Sequence, residues 1–514
     1  MTEDEIRAAA LALIPSCNGP LPLSEVESYL GAASDLLRGA IDQADFKSYI
    51  FPLMFFKRIS DVFLEEYGQA LAASGGDHEY AAFAENHRFQ IPEGCLWGDV
   101  RARTRNVGQA LVHAFREIEK SNPDTLYGIF GNTSWTNKQK LPDAALVELI
   151  EHFSTKALTN ACVSPDVFGQ AYEYLIKRFA DQSNKKAGEY YTPRSVVRLL
   201  VNILNPKDGE KVYDPACGTG GMLLEVIHHV KDAGGHPESL LGKLYGQEKN
   251  LTTSAIARMN MLLHGVEDFH VVRGDTLNQP AFLSDDKLAR FECVLANPPF
   301  SLEEWGSQAW SADRWGRNAI GGTPPDSNGD WAWVQHMIAS MTPKTGRIAV
   351  VLPQGALFRG RAEAKIRSAV LEKDLVEAVI GLGPNLFYGT GLAASVLVLR
   401  AKKPAARKNK VLFIDASRLL KRGRNQNTLE PEHAQQILDL YRGFGDVAGL
   451  SAVASLEAVK ANKGNLNIPL YVAPVEETPL SLDEARVALA AAHERAKTTR
   501  TQLLDQLKEW GFAS

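Results

Sequence analysis

From residue 22 to about 180 the apolar positions recur at helical spacing. Leu36, Ile41, Ile50, Leu53, Met54, Ile59, Val62 and Phe63 carry the pattern, which marks helices with a buried face. Pro52 interrupts that run and predicts a break or kink, because proline lacks the N–H that the helical ladder needs. A further helix is predicted over Asp166–Phe179, after Ser164-Pro165. The stretch 71–110 is rich in Gly, His and Asn and has little pattern.

The rhythm changes after Asn184. Short β-rich segments (Lys211–Tyr213, Lys243–Gly246, His270–Arg273, Phe291–Ala296, Arg347–Leu352, Leu375–Ile380 and Ser395–Leu399) alternate with helical patterns at 220–233, 251–264, 329–341 and 361–372. That alternation predicts an α/β fold around a parallel, Rossmann-like sheet of seven strands. The late strands follow one another without a helix, so at least one edge is expected to be antiparallel. From about 481 the pattern is helical again. Ser481-Leu-Asp-Glu484 reads as a capping box, and Leu482, Ala485, Leu489, Ala492, Ala496, Thr499, Leu503 and Trp510 form a narrow seam. A helix of this length spans about 40 Å. It either folds back on its own domain or forms an arm that docks a partner helix. The expected organisation is a helical domain over 1–180, an α/β domain over 181–475 and a C-terminal helix over 476–514.

Composition narrows the class. The chain is 45% hydrophobic and 23% charged, with 56 basic against 61 acidic residues and a net charge of −5. Nucleic acid would therefore be bound by a local basic patch or with a basic partner. The five cysteines are scattered and show no CxxC pairing, which argues for a reducing compartment and against a disulfide framework or zinc site. The twelve histidines show no HExxH spacing, so no metal is expected. No leader pattern opens the chain and no run approaches about 20 apolar residues. These features together predict a cytoplasmic protein that does not enter a membrane.

The chemistry concentrates at strand ends. Asp214-Pro-Ala-Cys-Gly-Thr-Gly-Gly221 follows the first predicted strand and opens a helix. Gly218, Gly220 and Gly221 let the backbone turn sharply beside a ligand. An acidic residue precedes the glycines and no lysine follows, unlike an anion-binding loop. A cationic ligand suits Asp214, and S-adenosylmethionine carries both an amino group and a sulfonium. Glu248 ends the second strand, where an acid can accept ribose hydroxyls. Asp275 ends the third and can accept from an adenine amine. Asn297-Pro-Pro-Phe300 ends the fourth at the same sheet edge. The Asn297 oxygen and the Pro298 carbonyl can accept from an NH2 group and favour its change to a tetrahedral cation. Pro298 and Pro299 fix the turn, and Phe300 offers a stacking face. A general base is not required, since displacement on a sulfonium methyl depends on positioning.

These motifs resemble those of the amino-methylating DNA methyltransferases, and more closely the modification subunit of type I restriction–modification systems. Asp35-Leu-Leu-Arg-Gly and Ile50-Phe-Pro-Leu-Met-Phe-Phe-Lys-Arg-Ile59 resemble that family's helical N-terminal domain, and Asp166-Val-Phe-Gly-Gln-Ala-Tyr-Glu-Tyr174 its approach to the catalytic domain. Gly188-Glu-Tyr-Tyr-Thr-Pro193 resembles the segment that closes over the methyl donor, and Asn385-Leu-Phe-Tyr-Gly-Thr-Gly391 a later loop. The order of motifs matches the γ arrangement of adenine-N6 enzymes. The resemblance implies that Glu189, Tyr190, Tyr191, Thr192, Pro193 and Arg194, with Thr219, Gly220, Gly221 and Glu248, contact S-adenosylmethionine. It implies an acceptor site at Asn297, Pro298 and Phe300, and no chemistry for Cys217. It further implies double-stranded DNA as substrate, a separate specificity subunit that reads the sequence, and an ATP-dependent restriction subunit. Two copies of the chain per specificity subunit are expected. The absence of a GxxxxGK[ST] loop fits this division of labour.

Three alternatives stay open at this stage: methylation of guanine N2 in RNA, methylation of a glutamine amide, and a non-catalytic scaffold. The basic run Arg400–Lys410 reads as a solvated hairpin loop. Lys421–Arg424 and the pair Lys185 and Lys186 are possible DNA contacts. Trp333 reads as core, and Trp331 as a candidate wall of the base pocket.

Overall fold

The structure is a computed structural model that describes residues 11–12, 14–15, 17, 19–39, 41–182, 192–387, 390–424, 426–474 and 482–509. Glu189, Tyr190 and Tyr191 of the candidate site, with Lys185, Lys186 and Ser481, lie outside the described residues. Two compact units are present, Met1–Val472 and Ala473–Ser514.

In the larger unit the first part is helical: α1 (Leu23–Leu36), α2 (Phe46–Ala73), α3 (Val107–Ser121), α4 (Asp143–Phe153) and α5 (Pro165–Gln182). Their apolar faces meet in an aromatic core that includes Phe51, Phe55, Phe56, Trp97, Phe115, Phe130 and Phe153. The break expected at Pro52 does not occur. Helix α2 runs unbroken for 28 residues with Pro52 inside it. The carbonyl that Pro52 cannot serve, that of Ser48, instead accepts from Thr133 Oγ1 at 2.9 Å. A tertiary contact thus fills the gap in the ladder, which a local rule cannot anticipate.

The rest of the unit is built on a sheet of nine strands: β1 (Val212–Asp214), β2 (Leu244–Glu248), β3 (His270–Arg273), β4 (Cys293–Ala296), β5 (Arg347–Pro353), β6 (Val376–Leu382), β7 (Ala394–Arg400), β8 (Lys410–Ala416) and β9 (Ser451–Ser455). The spatial order is β9-β8-β6-β7-β5-β4-β1-β2-β3. The expected seven strands are all present, and β8 and β9 add two more at one edge. Strand β9 is short and made of small residues, so its pattern is weak on the chain. Strand β7 runs antiparallel to β5 and β6, and β9 antiparallel to β8, while the other pairings are parallel. Helices α6 (Arg194–Leu204), α7 (Gly221–Asp232), α8 (Leu251–Leu263), α9 (Asp330–Ala339), α10 (Arg361–Glu372) and α11 (Pro431–Gly443) belong to this part. Ile256, Met259, Leu262 and Leu263 of α8 join the aromatic core of the helical region. That shared core fixes the helical region against the sheet.

Strands β5 to β8 are buried almost throughout, as expected of strands covered on both faces. Because β7 and β8 flank β6, the basic segment between them is not a hairpin. Three of its six cations pair within the protein, Arg400 with Glu377 at 3.0 Å, Lys403 with Asp374 at 2.6 Å and Arg407 with Glu377 at 3.3 Å, while Lys402, Lys408 and Lys410 are exposed. The cysteine spacing also misleads. Cys17 and Cys162, 145 residues apart, are disulfide-bonded with Cα atoms 5.8 Å apart, while Cys95, Cys217 and Cys293 are free and buried. Pairing over such a separation leaves no mark on local spacing.

In the second unit, α12 (Leu482–Glu509) is one helix of 28 residues. Among the described residues no helix is long and apolar enough to cross a membrane, and no group of side chains forms a metal site.

Candidate active site

Strands β1, β2 and β3 follow one another to one side of the sheet, and β4 then pairs with the opposite side of β1. A crevice opens beyond the strand ends at such a reversal. Here it is a cavity of about 300 Å³ lined by the loops after β1, β2, β3 and β4. Its lining includes Asp214, Gly218, Thr219, Gly221, Glu248, Asp275, Asn297 and Pro299, together with Thr192 and Arg194. Gly220 caps α7 in the left-handed conformation at φ 80°, which is why a glycine stands there. Pro193 caps α6. Pro298 is buried beneath the turn, and Phe300 packs edge-on against Phe387 with ring centroids 6.0 Å apart. Neither Pro298 nor Phe300 is among the lining residues.

Asp214 is 1% exposed and accepts from the Ala216 N–H at 3.0 Å. Burial, aided by nearby Glu248, pushes its carboxyl up to about 8. The cavity is lined by seven acidic residues against Lys47, Arg194 and Lys249. A cation entering it would therefore bind an ionised Asp214 and relieve the cost of burying that charge. The Gly loop is held from two sides. Glu248 accepts from Gly218 N at 3.1 Å and from Asn250 N at 2.8 Å, and Asn260 Nδ2 donates to the Thr219 carbonyl at 2.9 Å.

Asp275 is more fully engaged. It accepts from Leu277 N and Asn278 N at 3.2 Å each, from Asn278 Nδ2 at 3.0 Å and from Lys249 Nζ at 2.8 Å. Burial would raise its carboxyl, but the bonds from Lys249 and Asn278 outweigh this and hold it below the usual range. An adenine amine can reach it only when Lys249, whose side chain is 75% exposed, swings away. Cys217 is inert by environment, since burial raises its thiol far above the normal value.

At the acceptor turn, Asn297 Nδ2 donates to Thr192 Oγ1 at 2.9 Å. Asn297 Oδ1 is buried and has no hydrogen-bond partner among the described residues. A buried, unpaired amide oxygen is costly, and at the wall of a cavity it marks where a donor belongs. The turn is braced by Asp330, which accepts from Ser301 N at 2.8 Å and is ion-paired with Arg359.

Both tryptophans are buried, and it is Trp333, a core residue as expected, that also reaches the cavity. Trp331 is fully buried and donates to the Ala356 carbonyl at 2.9 Å. Trp333 lines the cavity, and its buried indole N–H has no partner among the described residues. Sequence reasoning also missed the wall supplied by the helical region: Gln43, Lys47 and Phe51, with Glu173, Ile176 and Phe179 of α5. Arg194 pairs with Glu173 and ties that wall to α6. These residues sit in ordinary amphipathic patterns, so nothing in the sequence distinguishes them from core positions.

Comparison with known proteins agrees with this geometry. Residues 163–479 match the N-6 DNA methylase family, and residues 26–153 match the HsdM N-terminal domain. The MjaVII type I restriction enzyme methylase subunit of Methanocaldococcus jannaschii is 33% identical over 86% of this chain and 77% of its own length. The MpnII methylase subunit of Mycoplasma pneumoniae is 29% identical over 94% of this chain and 96% of its own. The crystal structure of a type I restriction–modification methyltransferase subunit from Streptococcus thermophilus superposes with a TM-score of 0.77 at 30% identity, covering 88% of this chain and 100% of that one. The chain belongs to the N-6 DNA methylases, as a methylase subunit of the type I restriction–modification kind.

Proposed function

We propose that this chain transfers the methyl group of S-adenosyl-L-methionine to N6 of adenine in double-stranded DNA. The observation that carries the reading is Asn297 Oδ1, a buried acceptor without a partner at the wall of an acid-rich cavity. An amine donating to that oxygen and to the Pro298 carbonyl loses its planar conjugation at nitrogen more readily, and the transition state gains what the ground state does not. Phe300 braces the turn from behind through Phe387. The target base must leave the duplex to reach this depth.

S-adenosylmethionine, when bound, supplies an electrophilic methyl on a sulfonium. Asp214 balances its positive charge, Gly218 to Gly221 accept its close approach, and Glu248 takes the ribose hydroxyls. Asp275 takes the adenine amine once Lys249 is displaced. Thr192 holds Asn297, while Glu189, Tyr190, Tyr191, Pro193 and Arg194 are assigned as contacts of the donor. In this assignment the helical domain (1–180) walls the cavity, the catalytic domain (181–475) carries the chemistry, and the C-terminal helix (476–514) docks a partner. The partners are a specificity subunit, which takes two copies of this chain, and an ATP-dependent restriction subunit. The complex would act in the cytoplasm, without a membrane.

The test is Asn297→Ala in the complex with the specificity subunit. Methyl transfer should fall roughly 100- to 1,000-fold, as when one transition-state hydrogen-bonding group is removed, with cofactor affinity nearly unchanged. Undiminished transfer would falsify the role given to this turn.

A further inference from the structure

The loop between β8 and α11 carries Lys421, Arg422 and Arg424, all exposed. It is a closed, tied loop rather than a loose one. Lys421 and Thr428 exchange backbone hydrogen bonds at 2.9 and 3.0 Å. Gly423 sits so close to the Gln426 carbonyl that a Cβ there would lie 2.0 Å from the oxygen. The far side of the loop is bonded to the segment after β6. Asn427 N donates to the Asn385 carbonyl at 2.9 Å, Asn427 Nδ2 to the Pro384 carbonyl at 2.9 Å, and Gln426 Nε2 to the Leu386 carbonyl at 2.8 Å. The next residue, Phe387, packs on Phe300 of the acceptor turn. The loop that carries the two arginines is therefore tied, through one short chain of contacts, to the acceptor turn.

Their charge is available. Lys421 faces Glu430 at 4.0 Å and is partly balanced. Among the described residues neither Arg422 nor Arg424 has a hydrogen-bond or ion-pair partner. The other basic segment, between β7 and β8, spends Arg400, Lys403 and Arg407 on internal carboxylates. On a chain of net charge −5, unpaired arginines on a loop whose backbone is tied to the acceptor turn suit an anion that arrives with the acceptor. A guanidinium whose backbone is already ordered loses less entropy on forming such a contact.

We infer that Arg422 and Arg424 clamp backbone phosphates of the DNA strand that delivers the target base. This rests on the methyltransferase reading above and adds to it the residues that grip the substrate. Phosphate contacts position the strand without reading its sequence.

The experiment compares the wild-type complex with Arg422→Ala/Arg424→Ala and Arg422→Lys/Arg424→Lys, binding mixed-sequence duplex DNA across a salt series. Each lost phosphate contact lowers the slope of log affinity against log salt by about 0.9. The alanine pair should lower the slope by about 2, so that between 50 and 200 mM salt the wild type loses roughly tenfold more affinity than the variant. The lysine pair should keep the wild-type slope, and both variants should keep wild-type affinity for S-adenosylmethionine. An unchanged slope in the alanine pair, with the wild type methylating DNA normally, overturns the loop assignment alone. A wild-type complex that neither binds nor methylates DNA overturns the underlying reading and the loop assignment with it.

Discussion

Thr192 and Asn297 are joined by a 2.9 Å hydrogen bond in which the asparagine amide donates to the threonine hydroxyl. The bond spans 105 residues of chain and ties the amide to the segment before the sheet. With its nitrogen bonded to Thr192, the Asn297 oxygen is left as a buried acceptor without a partner among the described residues. The segment before the sheet thus sets the chemistry of a turn after the fourth strand.

Thr192→Val should weaken that orientation without emptying the site. A single neutral hydrogen bond is worth about 0.5–1.5 kcal/mol, so kcat should drop roughly 2- to 12-fold while affinity for S-adenosylmethionine stays near wild type. Thr192→Ser keeps the hydroxyl and should restore most of the rate. Single-turnover methylation with both variants checks this, and equal rates for valine and serine would refute the orienting role.

Asp214 makes cofactor binding pH-dependent. Its carboxyl is raised to about 8 by burial, with Glu248 adding to the effect, so below that pH the unliganded protein holds it protonated. The unfolded chain ionises it near 3.9. Native stability from this group is therefore greatest at low pH, declines as pH rises from about 4 to about 8, and levels off above. A cationic ligand prefers the ionised form, so its binding expels a proton. Affinity for S-adenosylmethionine should rise by up to tenfold per pH unit below pH 8 and flatten above it. Asp214→Asn should bind more weakly and lose the slope. Calorimetric titration in buffers of different ionisation heat measures both affinity and proton release.

What the sequence disclosed about this site follows from where each contact is made. Asp214 and Glu248 close their strands, Asp275 and Asn297 stand just after theirs, and a parallel sheet brings strand ends together whatever the register of its helices. The nine-stranded sheet was harder to count because Ser451–Ser455 is short and small-sided. Pro52 misled because the substitute partner of the Ser48 carbonyl, Thr133, lies 85 residues from it. The wall formed by Lys47, Phe51 and Phe179 was hidden because an amphipathic pattern marks a buried face but not what that face meets. Trp331 and Trp333 make the same point within one helix. Two residues apart, they point to different faces, both buried, and the pattern alone does not say which of them meets the cavity.

Trp333 should matter for the cofactor rather than for stability. It packs in a small cluster with Leu277, Trp305 and the partly buried Ala216, between the loops after β1 and β3. Its indole N–H is buried without a partner among the described residues. Trp333→Phe keeps an aromatic body and removes the donor. The unliganded melting temperature should hold or rise slightly, since an unsatisfied donor is lost, while affinity for S-adenosylmethionine falls roughly 2- to 12-fold. Equilibrium binding and thermal melts on the same sample separate these effects, and unchanged affinity would show that the cofactor does not use this donor.

The brace under the acceptor turn joins stability to catalysis. Asp330 is 1% exposed, and burial pushes its carboxyl up despite the bond from Ser301 and the Arg359 charge. Arg359 also donates to Glu363 through Nε at 2.8 Å, so one guanidinium balances two carboxylates. Removing it in Arg359→Ala strands both of them. Breaking a buried pair in this way costs about 3–5 kcal/mol, and the partial exposure of Arg359 puts the expected loss near the lower end. Asp330→Asn keeps a side-chain acceptor for Ser301 and should cost less. In the double variant the two losses should be less than additive, because they share one network. Urea midpoints of the four proteins give the coupling directly. Additive losses would mean that Asp330 and Arg359 hold the turn independently, and that the brace is two contacts rather than one.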